Sequence, residues 1–196
     1  ERDGRITSVK YEPALPVQTA WDLGKGAKMA VWMFQINGGK IAVIDHLEGE
    51  HSEGIPQVVK KLNRRRYKWG HDFVPHDARA TEIGTGKTRV ETLLNEGRKP
   101  NVVSDIGVDD GISAVRVNLN RCWFDKDLCA EGLECLRQYR ADFDEKLKTF
   151  KDNPKANWAA HSADAFRYLI VAWKELVPVA PKITPATELI FEALPD

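Results

Sequence analysis

The chain has no surplus of charge: 29 Lys and Arg stand against 29 Asp and Glu in 196 residues. Neutrality argues against a protein that holds a polyanion by bulk electrostatics alone, while leaving room for local basic patches. Long apolar runs are missing, as is a signal-like start, so nothing in the sequence points to a membrane or to secretion. Cysteine is scarce. Cys122, Cys129 and Cys135 fall in one stretch that reads as helical, with no CxxC pair. Their odd number and poor ligand spacing argue against a disulfide frame or a zinc site, and predict reduced, buried thiols in a cytosolic protein. The five histidines contain no H-x-x-x-H or zinc-like set. Repeats and low-complexity tracts are absent too. What remains, 42% hydrophobic and 30% charged residues, is ordinary for a globular protein, and the length suffices for one domain with a sizeable core. Glu1 stands where a methionine is expected, which reads as a piece of a longer protein or a trimmed chain.

Periodicity orders the elements. "VQTAWDLG" (17–24), "AKMAVWMFQING" (27–38) and "KIAVIDHLEG" (40–49) read as three strands. Asn37-Gly38-Gly39 between the second and third is a hairpin signal. "EGIPQVVKKLNRRRY" (53–67) has helical spacing, with Ile55, Val58, Val59 and Leu62 on one face. "HDFVPHDA" (71–78) predicts a fourth strand, "KTRVETLLNEG" a helix stopped by Gly97, and "NVVSDI" (101–106) a fifth strand. Two helices follow at about 109–122 and 126–137. Residues 139–158 alternate around Asn153-Pro154 as a small hairpin, and "HSADAFRYLIVAWKEL" (161–176) is a strong helix. A Pro-rich tail, 177–196, reads as a linker or partner-binding strip. Hairpin-joined strands followed by alternating helix and strand make a mixed sheet flanked by helices, an antiparallel meander extended by parallel strands. The order β-β-β-α-β-α-β-α is that of the ribonuclease H-like fold.

"EIGTGKT" (82–88) imitates a phosphate-binding loop. A P-loop requires glycine five places before its Gly-Lys pair and a strand running straight into it. Thr81 occupies that place, and "VPHDARA" precedes it. The stretch therefore reads as a Gly-rich turn opening a helix, whose first amides remain open to a phosphate of some polymer.

The residues that point to chemistry are acidic. Asp22 sits in an otherwise apolar strand beside Ala20, Trp21 and Leu23; Asp77 closes the predicted fourth strand; Asp164 lies near the start of the last helix. A charge in an apolar strand needs a cation or a metal as partner. If strands one and four are neighbours, Asp22 and Asp77 are adjacent. At 100° per residue Asp164 points away from the Phe166, Leu169, Ile170 and Trp173 stripe, on a side shared with His161 and Tyr168. Three converging carboxylates without cationic neighbours suit Mg²⁺ or Mn²⁺, which take oxygen ligands and keep waters for a phosphate substrate. Two such ions about 4 Å apart activate a water and steady the leaving oxygen of a phosphodiester. The plainer alternative is a turn former, a strand-end cap and a first-turn helix residue, each in isolation.

Asp45 is a secondary ligand candidate, with a turn-entering Asp as its plainer reading. His76 and His161 flank the proposed site, placed to orient a water or touch a phosphate, or simply at the surface. Arg64, Arg65, Arg66 and Lys68 cluster at the end of the first helix, and Arg79, Lys87 and Arg89 follow Asp77. Such residues form either a solvated face or, beside an acidic metal site, a track for a nucleic-acid backbone.

The segments "TAWDLG", "VPHDARATEIGTGKTRVETLLNEG" and "DFDEKLKTFKDNPKANWAAHSADAFRYL" resemble the C-terminal nuclease domain of the large terminase subunit of tailed bacteriophages, from about Thr19 to Leu176. "HSADAFRYL" carries most of the likeness. The resemblance implies a ribonuclease H-like domain over 1–176. It also implies two Mg²⁺ or Mn²⁺ ions held by Asp22, Asp77 and Asp164, and cleavage of concatemeric double-stranded viral DNA at the start and end of packaging. The implied partners are the packaging ATPase domain, expected ahead of Glu1, the small terminase subunit and the portal protein, in the host cytoplasm. The first helix lacks the acidic residue that cellular ribonucleases H carry there, which favours DNA cleavage over hybrid hydrolysis. A resolvase-type nuclease of the same fold, or a non-catalytic DNA- or portal-docking module, are the rival readings.

Overall fold

The computed structural model describes residues 3–24, 28–82, 84–144, 149–154 and 158–176; the Pro-rich tail lies outside them. The centre is the predicted meander. Strands β2 (Val17–Asp22), β3 (Ala30–Asn37) and β4 (Lys40–Glu48) pair antiparallel in sequence order, following a short β1 (Ile6–Thr7). Asn37 pairs with Lys40, so the turn is the two residues Gly38 and Gly39, both at positive φ (55° and 80°). A two-residue hairpin of that twist requires positive φ twice, which glycine adopts without steric cost.

Helix α1 (Ile55–Asn63) leads to β5 (Trp69–Val74), which pairs parallel with β2; after α2 (Arg89–Asn95), β6 (Pro100–Val102) extends that side. Beyond α3 (Val108–Asn118), strand β7 (Cys122–Asp125) pairs parallel with β4 and β1 on the other flank. The sheet order is β1-β7-β4-β3-β2-β5-β6. The chain ends in α4 (Ala130–Gln138), a separate hairpin of β8 (Ala141–Asp144) and β9 (Thr149–Pro154), and α5 (Ala160–Leu176).

Strand β7 corrects the sequence reading, which runs a helix through Cys122. A buried strand of four residues between two helices has too few positions to show a period, and its pairing with Ile41–Val43 decides it. Cys122 is therefore in a strand, Cys129 caps α4 and Cys135 lies within it, all three buried and unbridged as expected.

Alternation along the central strands builds two cores. Trp32 and Phe34 of β3 face Phe166, Leu169 and Ile170 of α5. Val31 and Met33 face Val58, Val59 and Leu62 of α1 and Leu93 of α2. At about 25 cal/mol per Å² of apolar surface, a sheet covered on both faces gains burial from every residue of its central strands. The α5 face carries the candidate site. Asp22 is two residues beyond Ala20, whose methyl is in the α5 core, so the pleat turns Asp22 toward α5 as well.

Candidate active site

Parallel pairing of β2 and β5 brings their C-terminal ends together, Ala20 lying opposite Phe73. Asp22 is the last residue of β2, with 17% of its side chain exposed. Past Val74, Pro75 opens a 3₁₀ turn, His76–Arg79, that carries Asp77, whereas the sequence predicts Asp77 in the strand itself. The first two turns of α5 cross this edge. His161 Nδ1 lies 2.6 Å from Asp22 Oδ2, and Asp164 follows one turn later, 30% exposed. The field of Asp22 reaches Asp164, and the fields of Asp22, Asp164 and Asp77 all reach the Tyr168 phenol, whose pKa is pushed up to about 12 chiefly by burial. The three predicted carboxylates thus share one edge of the sheet.

Their electrostatics differ from expectation in one respect. The carboxylates are not without cationic neighbours: Arg167 Nη2 lies 3.0 Å from Asp164 Oδ1, and the Tyr139 hydroxyl donates to the same oxygen at 3.2 Å. Burial raises the Asp164 pKa, Arg167 opposes that and Asp22 reinforces it. His161 is raised as well, first by its hydrogen bond with Asp22 and against desolvation, with Asp164 and Glu48 adding to the attraction.

Glu48 is a site residue that the sequence reading missed. Asp22 pairs with Ala30, and Ala30 with Glu48 across the next strand, so the two carboxylates stand level on one face, about 9–10 Å apart at Cα. The Glu48 side chain is 8% exposed, accepts from Ser162 Oγ at 2.8 Å, and has Lys28 Nζ at 3.6 Å. Ser162 in turn meets His46 Nε2 at 2.9 Å, so neighbouring residues of α5 tie it to β2 and to β4. The spacing was legible: residues 45 and 48 are an odd number apart and face opposite sides.

Asp45 accordingly lies on the far face, opposite Met33. It is buried, and accepts from Arg65 Nε at 2.8 Å and more distantly from the Tyr67 hydroxyl. It is a structural anion, away from the other carboxylates. Arg65 is thereby committed to it.

The basic run is also misplaced relative to expectation. Arg64, Arg65, Arg66 and Lys68 precede β5, and Val17 N donates to Lys68 O, so the run lies where β2 and β5 begin. Asp22 ends β2 five residues later, about 17 Å away along the strand. Arg79, exposed and in the same turn as Asp77, is at the carboxylate end. Arg89 is there too, donating to Gly24 O at 3.2 Å, though its Nε is taken by Glu82 at 3.0 Å. Lys87 is exposed at the adjoining turn. His76 is exposed and 3.7 Å from Asp105; with Arg167 and Tyr168 it lines a cleft of about 110 Å³.

"GTGKT" is a tight turn. Thr81 bridges Thr88, Glu82 N donates to Lys87 O, and β5 ended seven residues before Thr81. Thr88 and Glu91 cap each other's amides at the start of α2, so two of the donors at that helix end already have their acceptors within the chain.

Among the described residues no three His, Cys, Asp or Glu side chains stand close enough to hold a metal by themselves. The donor chemistry nevertheless fits a hard divalent ion. Asp22 and Asp164 each keep one oxygen clear of hydrogen bonds from the described residues, and burial still holds the Asp164 pKa up against the Arg167 charge, so a further cation there would be favoured. Mg²⁺ retains several waters and completes its shell with substrate oxygens, so a few carboxylates are enough.

No protein-family profile matches the chain, and no curated protein does. Solved structures do. The large terminase of a thermophilic bacteriophage superposes with a TM-score of 0.66 at 18% identity, over 87% of this chain and 43% of that one. The P22 large terminase nuclease domain gives 0.65 at 16%, over 86% of both chains. The nuclease domain of the bacteriophage SPP1 large terminase, solved with bound Mn, gives 0.59 at 14%, over 83% of this chain and 87% of that one. The chain spans less than half of the thermophilic phage protein. With its meander, flanking parallel strands and helices on both faces, it has the ribonuclease H-like fold of large terminase nuclease domains.

Proposed function

We propose that the protein is a metal-dependent endonuclease that cuts double-stranded DNA, acting on concatemeric viral DNA during genome packaging. One observation carries the reading: Asp22, Asp77 and Asp164 share one sheet edge, on a fold whose similar structures are terminase nucleases. Asp22 would contact both of two Mg²⁺ or Mn²⁺ ions, with Asp77 and Asp164 completing the set. When bound, the ions supply an activated water and charge neutralisation at the departing 3′ oxygen. The chain's own residues do the rest. His161, held by Asp22, fixes that carboxylate's rotamer and presents its other ring nitrogen to a water or phosphate oxygen. Glu48 and Ser162 anchor the start of α5 against β4, which keeps His161 over Asp22. Arg79, with Lys87 exposed in the adjoining turn, is placed to meet the backbone of the DNA at the carboxylate end. In its biological setting the domain would work in the host cytoplasm beside its ATPase domain, the small subunit and the portal.

Cleavage of linear and supercoiled plasmid tests this. Mn²⁺ or Mg²⁺ should support it and EDTA abolish it. Cleavage in EDTA, or none with either metal in a folded protein, would overturn the assignment. Preference for branched over linear DNA would move it to a resolvase.

A further inference from the structure

The surroundings of Asp164 bear on which cation the site admits, an inference that rests on the nuclease reading above. Arg167 is 9% exposed, with its guanidinium over the Tyr168 ring at 5.0 Å. Its Nη2 donates to Asp164 Oδ1 and its Nη1 to Gly107 O at 3.4 Å, while its buried Nε has no partner among the described residues. Burying a guanidinium with one N–H unsatisfied costs stability, so its position is not explained by its own solvation. The fold makes room for it. A Cβ at Gly111 of α3 would come 2.3 Å from Arg167 Cδ and 2.7 Å from Cγ, so only glycine lets the stem pass. Tyr139, at the end of α4, supplies the second donor to the same oxygen. Donors from α5 and from the end of α4 thus meet at Asp164 Oδ1, with α3 making room for the first, and Oδ2 takes no hydrogen bond from the described residues.

We propose that Arg167 and Tyr139 form a clamp that occupies Asp164 Oδ1, leaving Oδ2 as the single oxygen available to a metal, and so set the site's preference for small octahedral cations. Ca²⁺ takes six to eight oxygens and readily uses both oxygens of a carboxylate; Mg²⁺ and Mn²⁺ are served by one oxygen from each of several ligands. A carboxylate with one oxygen spoken for therefore disfavours Ca²⁺ more than Mn²⁺. Arg167 and Tyr139 are positioning residues: they act through Asp164. Gly111 belongs to the same device, although it lies on a different helix from Asp164 and has no side chain to reach it.

Calorimetric titration of MnCl₂ and of CaCl₂ into the metal-free full chain measures the ratio of the two affinities without DNA. In Tyr139→Phe, Gly111→Ala and Arg167→Gln the ratio should move toward Ca²⁺, and in Arg167→Gln on the order of tenfold, the factor commanded by one charge-assisted hydrogen bond. Arg167→Lys should restore part of it. Tyr139→Phe removes one hydroxyl and keeps the ring, so it remains informative if Arg167→Gln fails to fold. An unchanged ratio in Tyr139→Phe and Gly111→Ala would overturn the clamp and leave the nuclease reading standing, as would equal loss of both ions in Arg167→Gln. If the unaltered protein takes up neither ion while folded, the metal-dependent reading fails and the clamp with it.

Discussion

Asp22→Asn perturbs the site with the least steric change. The amide has the carboxylate's shape, so the strand end and the turn at Leu23–Gly24 need not move. Its oxygen still accepts from His161 Nδ1, which lies 2.6 Å from Asp22 Oδ2. What goes is one negative charge. Both partners are part-exposed, 29% for His161 and 17% for Asp22, so the pair's contribution to folding is discounted by solvent to about 1 kcal/mol or less. Against that loss, the repulsion that Asp22 exerts on Asp164 disappears. The two effects oppose each other, and Arg167 already balances Asp164, so metal-free stability should change by less than about 1 kcal/mol. For a domain of this size that is a shift in melting temperature of roughly 2–4 °C at most. The catalytic effect is of a different order. Losing one preorganised electrostatic group costs about 10²–10³ in rate, and a ligand shared by two ions should cost at least that. The assay is plasmid cleavage with Mn²⁺ alongside thermal melting in EDTA. A folded Asp22→Asn protein that cleaves within a few-fold of the unaltered chain would refute the assignment. A variant that unfolds would show that Asp22 is a structural anion.

Asp45→Asn should behave in the opposite way: it leaves the Arg65 guanidinium facing a neutral group on the far side of the sheet. A loss of roughly 1–3 kcal/mol in a denaturant melt is expected, with near-normal cleavage by the folded fraction. Arg79→Glu should weaken DNA binding more than Arg64→Glu with Arg66→Glu. It should also flatten the slope of log affinity against log salt by about 0.9 for each phosphate no longer neutralised; equal effects would refute the placement of the track. Burial lowers the His46 pKa to about 4 from an ordinary 6.5. The unfolded chain then binds the extra proton between those values, so stability is intact above about 6.5 and falls as pH drops toward 4, by up to about 3 kcal/mol. Denaturant melts at pH 7 and pH 5 should show that slope, and it should be shallower in His46→Gln.

Much of this molecule is legible along the chain because its signals are local. Asn37-Gly38-Gly39 specifies a two-residue hairpin whatever surrounds it, and the apolar spacing in 55–62 specifies a helix face. The phase of the last helix likewise fixes that Asp164, His161 and Tyr168 leave the core stripe together. The failure of "GTGKT" as a phosphate loop is local too, since Thr81 is not glycine.

What the tertiary structure alone decided depends on which strand lies beside which. Asp22 and Asp77 come to one edge of the sheet because β2 and β5 run parallel, and the same pairing sends Arg64–Lys68 to the opposite end of the sheet. Strand β7 exists because Ile41–Val43 has a free edge for it. Glu48 joins the site through two successive registers, Asp22 with Ala30 and Ala30 with Glu48, while Asp45 is turned to the other face by its odd distance from Glu48. Arg167 reaches Asp164 only because Gly111, some fifty residues away in sequence, has no side chain. Local propensity carries information over a few residues and fixes each element and its face, which was enough to single out the three aspartates. Register, strand order and close approach are set by packing between distant segments, so the residues that surround those aspartates, Glu48 and Arg167 among them, and the exclusion of Asp45 and the 64–68 run could be read only from the fold.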